Sequence, residues 1–415
     1  MRIVIVGAGV AGCIMARTLS QLPGAEVVCL ERVARDDHSE SGTGLNIGPN
    51  AVQALQSHDP ALADAITRSS FPWRTWKISL TDGTALFDLP ITDVANNEGW
   101  RIRWSELYRV LREQAPIVSY DCTITAAGRS AHDPAKTFVE WTQGEWTQGE
   151  ARQRLDDIDL LIAADGRYSQ IRRTFSGEPA TRHVGVAISR LLVPDTSGGL
   201  IDDYEQWFNG PNRLLAFRVP PGHIYAACSF PIAPDQPIAD HLKSPEALRA
   251  AYTPANGLLT EQTRWLIDTL CTHAGDMHWA RMQEHEALYA DPASNVLYLG
   301  DAAHGMVPTL GQGATQAIED ASFAGSLIAS AWSEGVRDPR KWLKSIEARA
   351  ERMRFVMQFS LEATDTMLAG ADPVAGTLHK TEPDFMAKLA RLYRDGPSNA
   401  APLNDHGLST GTFIA

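Results

Sequence analysis

The chain has 415 residues, with 37 Lys and Arg against 50 Asp and Glu and a formal net charge of −13. That length accommodates two domains, and an acidic balance without a basic run speaks against nucleic acid or an anionic membrane surface as partner. No apolar run reaches the ~18 residues of a membrane span. Five cysteines without paired spacing suit a reduced, cytoplasmic protein, and twelve histidines show no metal-ligand spacing, so no metal is expected.

Residues 2–6 form an apolar run that enters Gly7-Ala8-Gly9-Val10-Ala11-Gly12, and a helix is predicted over about 11–22. Glycines at this spacing serve a tight turn, close approach of backbone to a pyrophosphate, and helix–strand packing. A second strand over 25–30 ends in Glu31-Arg32, where a carboxylate can accept the ribose hydroxyls of an adenosine. Dinucleotide binding follows. A signal peptide would also begin with a cation and an apolar run, but Arg17 and the onward helix–strand pattern argue against it.

Residues 41–50, Ser-Gly-Thr-Gly44-Leu45-Asn-Ile-Gly-Pro49-Asn, read as a loop leading into a helix with Pro49 near its first turn. Residues 74–91 read as a hairpin around Asp82-Gly83, and a helix is predicted over 104–114. Strands over 117–163 end in an apolar run before Asp165-Gly166. The exact repeat Glu140-Trp-Thr-Gln-Gly and Glu145-Trp-Thr-Gln-Gly reads as a duplication lengthening an exposed hairpin. Residues 180–290 alternate as strands with Pro/Gly turns, which predicts an antiparallel sheet.

A strand over 296–299 then runs into Gly300-Asp301, followed by Pro308 and by Gly311-Gln312-Gly313-Ala314 at the start of a long helix. Such a helix start offers free N–H groups and a positive dipole end to an anionic or electron-rich ligand. Helices are predicted over 313–332 and 339–368, and the tail after 370, rich in Pro, Gly, Asn and Asp, is expected to wrap loosely over the surface. The fold class expected is α/β: a discontinuous Rossmann-like FAD-binding domain (1–70, 100–180 and 290–370), an inserted, mainly antiparallel β-sheet substrate domain (71–99 and 181–289), C-terminal helices and a tail (371–415).

The three motifs Gly7–Gly12, Asp165-Gly166 and Gly300-Asp301, in this order, resemble the group A flavoprotein monooxygenases of the para-hydroxybenzoate hydroxylase fold, over about residues 1–365. The resemblance implies FAD as cofactor, NADH or NADPH as reductant, and O2 delivered through a flavin C4a-hydroperoxide to a hydroxylated aromatic or N-heteroaromatic substrate. It assigns FAD to Gly7, Gly9, Val10, Ala11, Gly12, Glu31, Arg32, Gly44, Leu45, Asp165, Gly166, Gly300, Asp301, Pro308, Gly311, Gln312, Gly313 and Ala314, with Asp165-Gly-Arg-Tyr-Ser169-Gln-Ile-Arg172 also serving the coenzyme. Many relatives place an Arg three residues before the Leu that opens the next helix. Here that slot, counted from Leu107, is Trp104, which leaves Arg103 or Arg101 for the cofactor.

A narrower resemblance, to 2-methyl-3-hydroxypyridine-5-carboxylate oxygenases, implies Arg213 and Tyr225, twelve residues apart, as substrate ligands, with Trp73 as a further aromatic and Pro308 at the flavin edge. Strand geometry leaves two options open. An even-length turn at Pro221-Gly222 puts Arg218 on the side of Tyr225, whereas an odd loop or a bulge puts Arg213 there.

An NAD-dependent dehydrogenase would use the first motif alone and leave the other two unexplained. A flavin-dependent halogenase would need Trp-x-Trp-x-Ile-Pro where Trp73-Arg-Thr-Trp76-Lys-Ile stands, and a non-catalytic flavin protein is the third rival. The aromatic substrate, the choice between NADH and NADPH, ring cleavage after hydroxylation, and assembly as a homodimer are open at this level.

Overall fold

A computed structural model of the chain describes residues 1–37, 43–144 and 152–396. Its six-stranded sheet runs in the order Ala290–Asp291, Val296–Tyr298, Leu160–Ala163, Arg2–Val6, Glu26–Leu30, Val118–Ser119. The inner pairs are parallel and nearly every residue in the three central strands is buried, which explains their unbroken apolar runs. Because these strands share a direction, their C-terminal ends bring Gly7, Glu31, Asp165 and the turn to Asp301 to one edge of the sheet. Open parallel sheets bind ligands at that edge.

The second large sheet has seven strands, in the order His278–His285, Thr181–Pro194, His223–Pro231, Asn212–Val219, Tyr204–Asn209, Thr75–Leu80, Ala85–Pro90. All its pairs are antiparallel except Tyr204–Asn209 with Thr75–Leu80. One face, with Ile188, Phe217 and Tyr225, joins the core shared with the cofactor half. The other face, with Leu214, Ile224 and Ala226, is covered by helices Pro245–Tyr252 and Glu261–Thr272. These helices interrupt the stretch expected to be sheet throughout. Their cap signals were present: Ser244 accepts from the Ala247 N–H and Thr260 from the Thr263 N–H.

Four further expectations need correction. Residues 44–47, read as loop, form the strand Gly44–Ile47, which pairs with Gly99–Arg103, and a Cβ at Gly44 would lie 2.6 Å from the Tyr225 Cβ. The first copy of the repeat lies in the strand Thr137–Gln143 with Trp141 buried, while the second copy, 145–149, lies outside the described residues. Residues 371–396 of the expected tail do not wrap loosely, and 397–415 lie outside the described residues. The described part forms helices Pro373–His379 and Pro383–Arg394, which bury Phe385, Leu389, Leu392 and Tyr393. The prolines that suggested a loop sit instead in the first turns of these helices, where a missing N–H costs nothing. Similarly, the helix expected over 339–368 divides into Pro339–Ile346 and Arg349–Glu362. No helix among the described residues is long and apolar enough to cross a membrane.

A buried polar network ties these parts together from inside the helix Gln312–Ser333. Asp320 accepts from the Gly300 N–H (3.1 Å), Tyr289 Oη (2.9 Å) and Arg349 Nη2 (2.8 Å), and pairs with His304 Nε2 (2.7 Å). Glu319 accepts from Arg349 Nη1 (2.9 Å), Arg352 Nε (2.7 Å) and Asn50. Burial alone would raise both carboxyls, but the cations hold both below the usual carboxylate range.

Removing the central cation leaves uncompensated charge, so Arg349→Met is expected to cost about 3–5 kcal/mol in urea unfolding. Arg352→Met, at a more exposed position, should cost less. Equal small losses in both variants would contradict the ranking.

Candidate FAD and substrate site

Between the strand ends and the apolar face of the seven-stranded sheet lies a cleft of about 780 Å³. Of the residues assigned to FAD from sequence, Gly7, Gly9, Val10, Ala11, Glu31, Arg32, Gly44, Leu45, Asp165, Gly166, Gly300, Asp301, Pro308, Gly311, Gly313 and Ala314 line it. Gly12 does not. Its role is packing, since a Cβ there would lie 1.8 Å from the Gly7 carbonyl oxygen. The Gln312 side chain turns into the buried network, accepting from Asn50 Nδ2 at 3.2 Å and Gln316 Nε2 at 3.0 Å. Arg103 is also absent from the wall. At that place stand Trp104 and Tyr108, stacked with centroids 5.0 Å apart. Arg101 is committed elsewhere, to Asp203 and the carbonyl of Pro72.

Two helices, Val10–Leu19 and Gln312–Ser333, begin on this cleft at Gly9 and Gly311, and neither has a side-chain cap. Their first N–H groups therefore lack the partner that a Ser or Asp would supply, and both positive dipole ends face the cleft. Gly311 stands in the left-handed region at φ +65°, which allows the sharp entry into the helix. Glu31 is held in place by accepting from the Ala8 N–H (2.6 Å) and the Val33 N–H (3.0 Å). Diphosphate, ribose hydroxyls and a flavin ring edge fit such donors and acceptors.

The segment after Asp165 binds the middle motif to the last one. Ser169 caps the helix Gln170–Ser176, and Arg172 from that helix donates to the carbonyls of Ala302 (3.0 Å), Ala303 (2.7 Å) and Glu286 (2.8 Å). Asp165 Oδ2 accepts from the Ile171 N–H at 3.2 Å, while Oδ1 is buried without a partner among the described residues. Burial outweighs these bonds and raises the Asp165 carboxyl above its ordinary value.

A family model described as an FAD binding domain matches residues 260–360. The 3-amino-4-hydroxybenzoate 2-monooxygenase of Streptomyces cremeus is 28% identical over 395 residues, covering 90% of this chain and 93% of the relative. Among solved structures, Klebsiella pneumoniae HpxO complexed with FAD and uric acid superposes with a TM-score of 0.77 at 21% identity, covering 96% of this chain and 97% of that one. Over most of its length the chain is similar to FAD-dependent aromatic monooxygenases of group A. A mutant of 2-methyl-3-hydroxypyridine-5-carboxylic acid oxygenase shares the monooxygenase fold, with a TM-score of 0.70 at 18% identity, covering 94% of this chain and 96% of that one.

On the side of the cleft formed by the seven-stranded sheet, Val219 pairs with His223, so residues 220–222 form an odd loop. Phe217 then opposes Tyr225 and Arg213 opposes Ser229, which puts Arg213 on the Tyr225 face. Arg218 lies on the other face, pairing with Asp202 at 3.2 Å and standing 5.1 Å from the Phe71 ring. Tyr225 and Pro308 line the cleft. Arg213 and Trp73 are buried just outside its lining. Arg213 Nε has no partner among the described residues, and the ring of Trp73 packs 5.6 Å from Tyr204, which is itself on the wall. Arg190, Tyr204 and Phe217 also face the cleft and were missed from sequence. The available signal was an isolated polar or aromatic residue, such as Arg190 between Ile188 and Leu192, on the inward positions of otherwise apolar strands.

Asp301→Ala should give protein purified largely without FAD, seen as loss of the flavin absorbance. Asp165→Asn is expected to stabilise the fold at pH 7 by on the order of 1 kcal/mol, because it removes a desolvated charge. The raised carboxyl carries a penalty only when ionised. The advantage should therefore be full above the folded-state value and fade as pH falls toward the ordinary aspartate range. Thermal unfolding of both proteins across pH checks the sign.

Proposed function

We propose that the protein is a cytoplasmic NAD(P)H-dependent hydroxylase of a hydroxylated aromatic or N-heteroaromatic acid, a pyridine carboxylate being within that class. The cofactor half would take in residues 1–70, 100–180 and 290–370, and the substrate half 71–99 and 181–289. One observation carries the reading: Arg213, buried and unpaired at Nε, shares a sheet face with Tyr225 over the cleft that holds the FAD motifs. A buried guanidinium without a carboxylate costs several kcal/mol, and a substrate carboxylate would offset that cost. The names of the relatives fit, since one acts on an aminohydroxybenzoate and the HpxO structure holds uric acid.

FAD, when bound, supplies the activation of O2 after reduction by the coenzyme. The chain's own residues do the rest. Tyr225, pushed up to about 12 by burial, stays protonated at neutral pH and can donate a hydrogen bond to the substrate. Phe217 and Tyr204, stacked with centroids 5.8 Å apart, provide an apolar surface that fixes the ring plane and keeps water out. Asp165 and Asp301, on the opposite wall, would hold the cofactor.

Substrate anchoring separates the two arginines. Arg213→Met should weaken binding of an aromatic carboxylate by roughly 2–4 kcal/mol with FAD content unchanged, while Arg218→Met should bind like wild type. Titrations followed by perturbation of the flavin spectrum would read both. The opposite ranking would refute Arg213 as the anchor.

A further inference from the structure

Arg190 lies on the strand Thr181–Pro194, on the face shared with Ile188, and lines the cleft. Its cross-strand partners are Ala227 on one side and His278 on the other, and Tyr225 lies diagonal to it, opposite Leu192. Its Nε is buried without a hydrogen-bond partner among the described residues. The only other cation that the seven-stranded sheet gives to the wall, among the described residues, is Arg281, whose Nη1 donates to the carbonyls of Pro234 and Gln236, both at 3.4 Å. That sheet gives the wall no carboxylate. The carboxylates of the cleft, Glu31, Asp165 and Asp301, belong to the cofactor motifs.

Two cations of this sheet, Arg190 and Arg281, therefore stay unneutralised when a monocarboxylate binds at Arg213, and of the two it is Arg190 whose Nε is buried without a partner among the described residues. Resting on the reading above, we propose that Arg190 contacts a ring oxygen of the substrate and binds it in ionised form. The cleft would thus select an aromatic carboxylate bearing an ionised hydroxyl, a dianion. The hydroxyl proton leaves to solvent and no electrons move in this step. The gain is chemical as well as electrostatic, since an ionised hydroxyl enriches the ring carbons ortho and para to it, where an electrophilic oxygen attacks. Tyr225 supports the arrangement. Arg190 is the largest charge acting on its phenol, ahead of Arg213, and the phenol nonetheless stays a neutral donor. A guanidinium and an O–H converging on one region call for an acceptor between them. His278 faces Arg190 from the next strand, Arg213 and Tyr204 interact on the same sheet, and the further charged groups of the wall include Arg281, Arg167, Asp165 and Asp301.

The test uses the FAD-loaded enzyme and paired probes: benzoate with 3- and 4-hydroxybenzoate, and nicotinate with its ring-hydroxylated counterparts. Flavin perturbation gives Kd, and the absorbance of the bound ligand across pH gives the midpoint of hydroxyl ionisation. Arg190→Met should bind the unhydroxylated probes as wild type does. It should weaken the hydroxylated ones by about ten-fold or more and raise the ionisation midpoint by about one unit. Arg190→Lys should retain most of both. Equal weakening of both classes, or an unmoved midpoint, would overturn the proposal. Should Arg213→Met bind every probe normally while Arg190→Met shows the split, the carboxylate anchor is wrong and the Arg190 contact stands. Should no probe perturb the wild-type flavin, the aromatic-acid reading falls and takes this one with it.

Discussion

Two carboxylates side by side inside an apolar helix would be untenable unless cations reached them, and the architecture around the cofactor cleft follows from how they are reached. Glu319 and Asp320 have essentially no exposure, and Arg349 bridges them from the helix Arg349–Glu362. Asp320 also fixes the Gly300 N–H at the end of a cofactor strand, while Glu319 meets Asn50 from the helix Pro49–His58. Arg352 continues outward to the Leu392 carbonyl of a C-terminal helix. One cluster therefore sets the position of the last cofactor motif, the flavin-facing helix start and the C-terminal cover. Its cost is desolvation, and its product is a single allowed arrangement of those parts.

The same burial has the opposite consequence at the middle motif. Asp165 is buried too, but it meets only hydroxyl and N–H donors and no cation, so its carboxyl is raised where those of Glu319 and Asp320 are lowered. The difference assigns roles. Paired carboxylates hold the scaffold, whereas Asp165, at the cleft wall, keeps one buried oxygen without a partner among the described residues. Two uncapped helix termini at Gly9 and Gly311 follow the same logic, because donors that the fold leaves unsatisfied are the ones a ligand can take.

The cofactor half was legible in the sequence because its requirements are local. Gly12 must lack a side chain to pass the Gly7 carbonyl, and Asp165 and Asp301 must follow strand ends, so spacing along the chain records them. The C-terminal helices were not legible, since Pro373 and Pro383 carry the same letter in a loop as in a first turn, and only the burial of Phe385 and Tyr393 separates the cases. The scaffold network was invisible for another reason. Adjacent acids in a helix look like a solvated face until Arg349, some thirty residues on, is brought against them.

The substrate side shows where sequence reasoning stops and why. Whether Arg213 or Arg218 faced the cleft depended on one residue in the loop length, because a strand presents alternate side chains to opposite faces. Pairing of Val219 with His223 decides it, and that pairing is a property of the closed sheet. Once the face is known, the charge pattern becomes interpretable. Arg213 and Arg190 lie on the cleft side of one wall, Arg218 is neutralised by Asp202 on the other, and Gly44 lets the cofactor half approach to contact at Tyr225. On the proposed reading, a positively charged wall without a carboxylate among its described residues, opposite the FAD motifs, is what would choose the substrate. The FAD motifs choose only the chemistry.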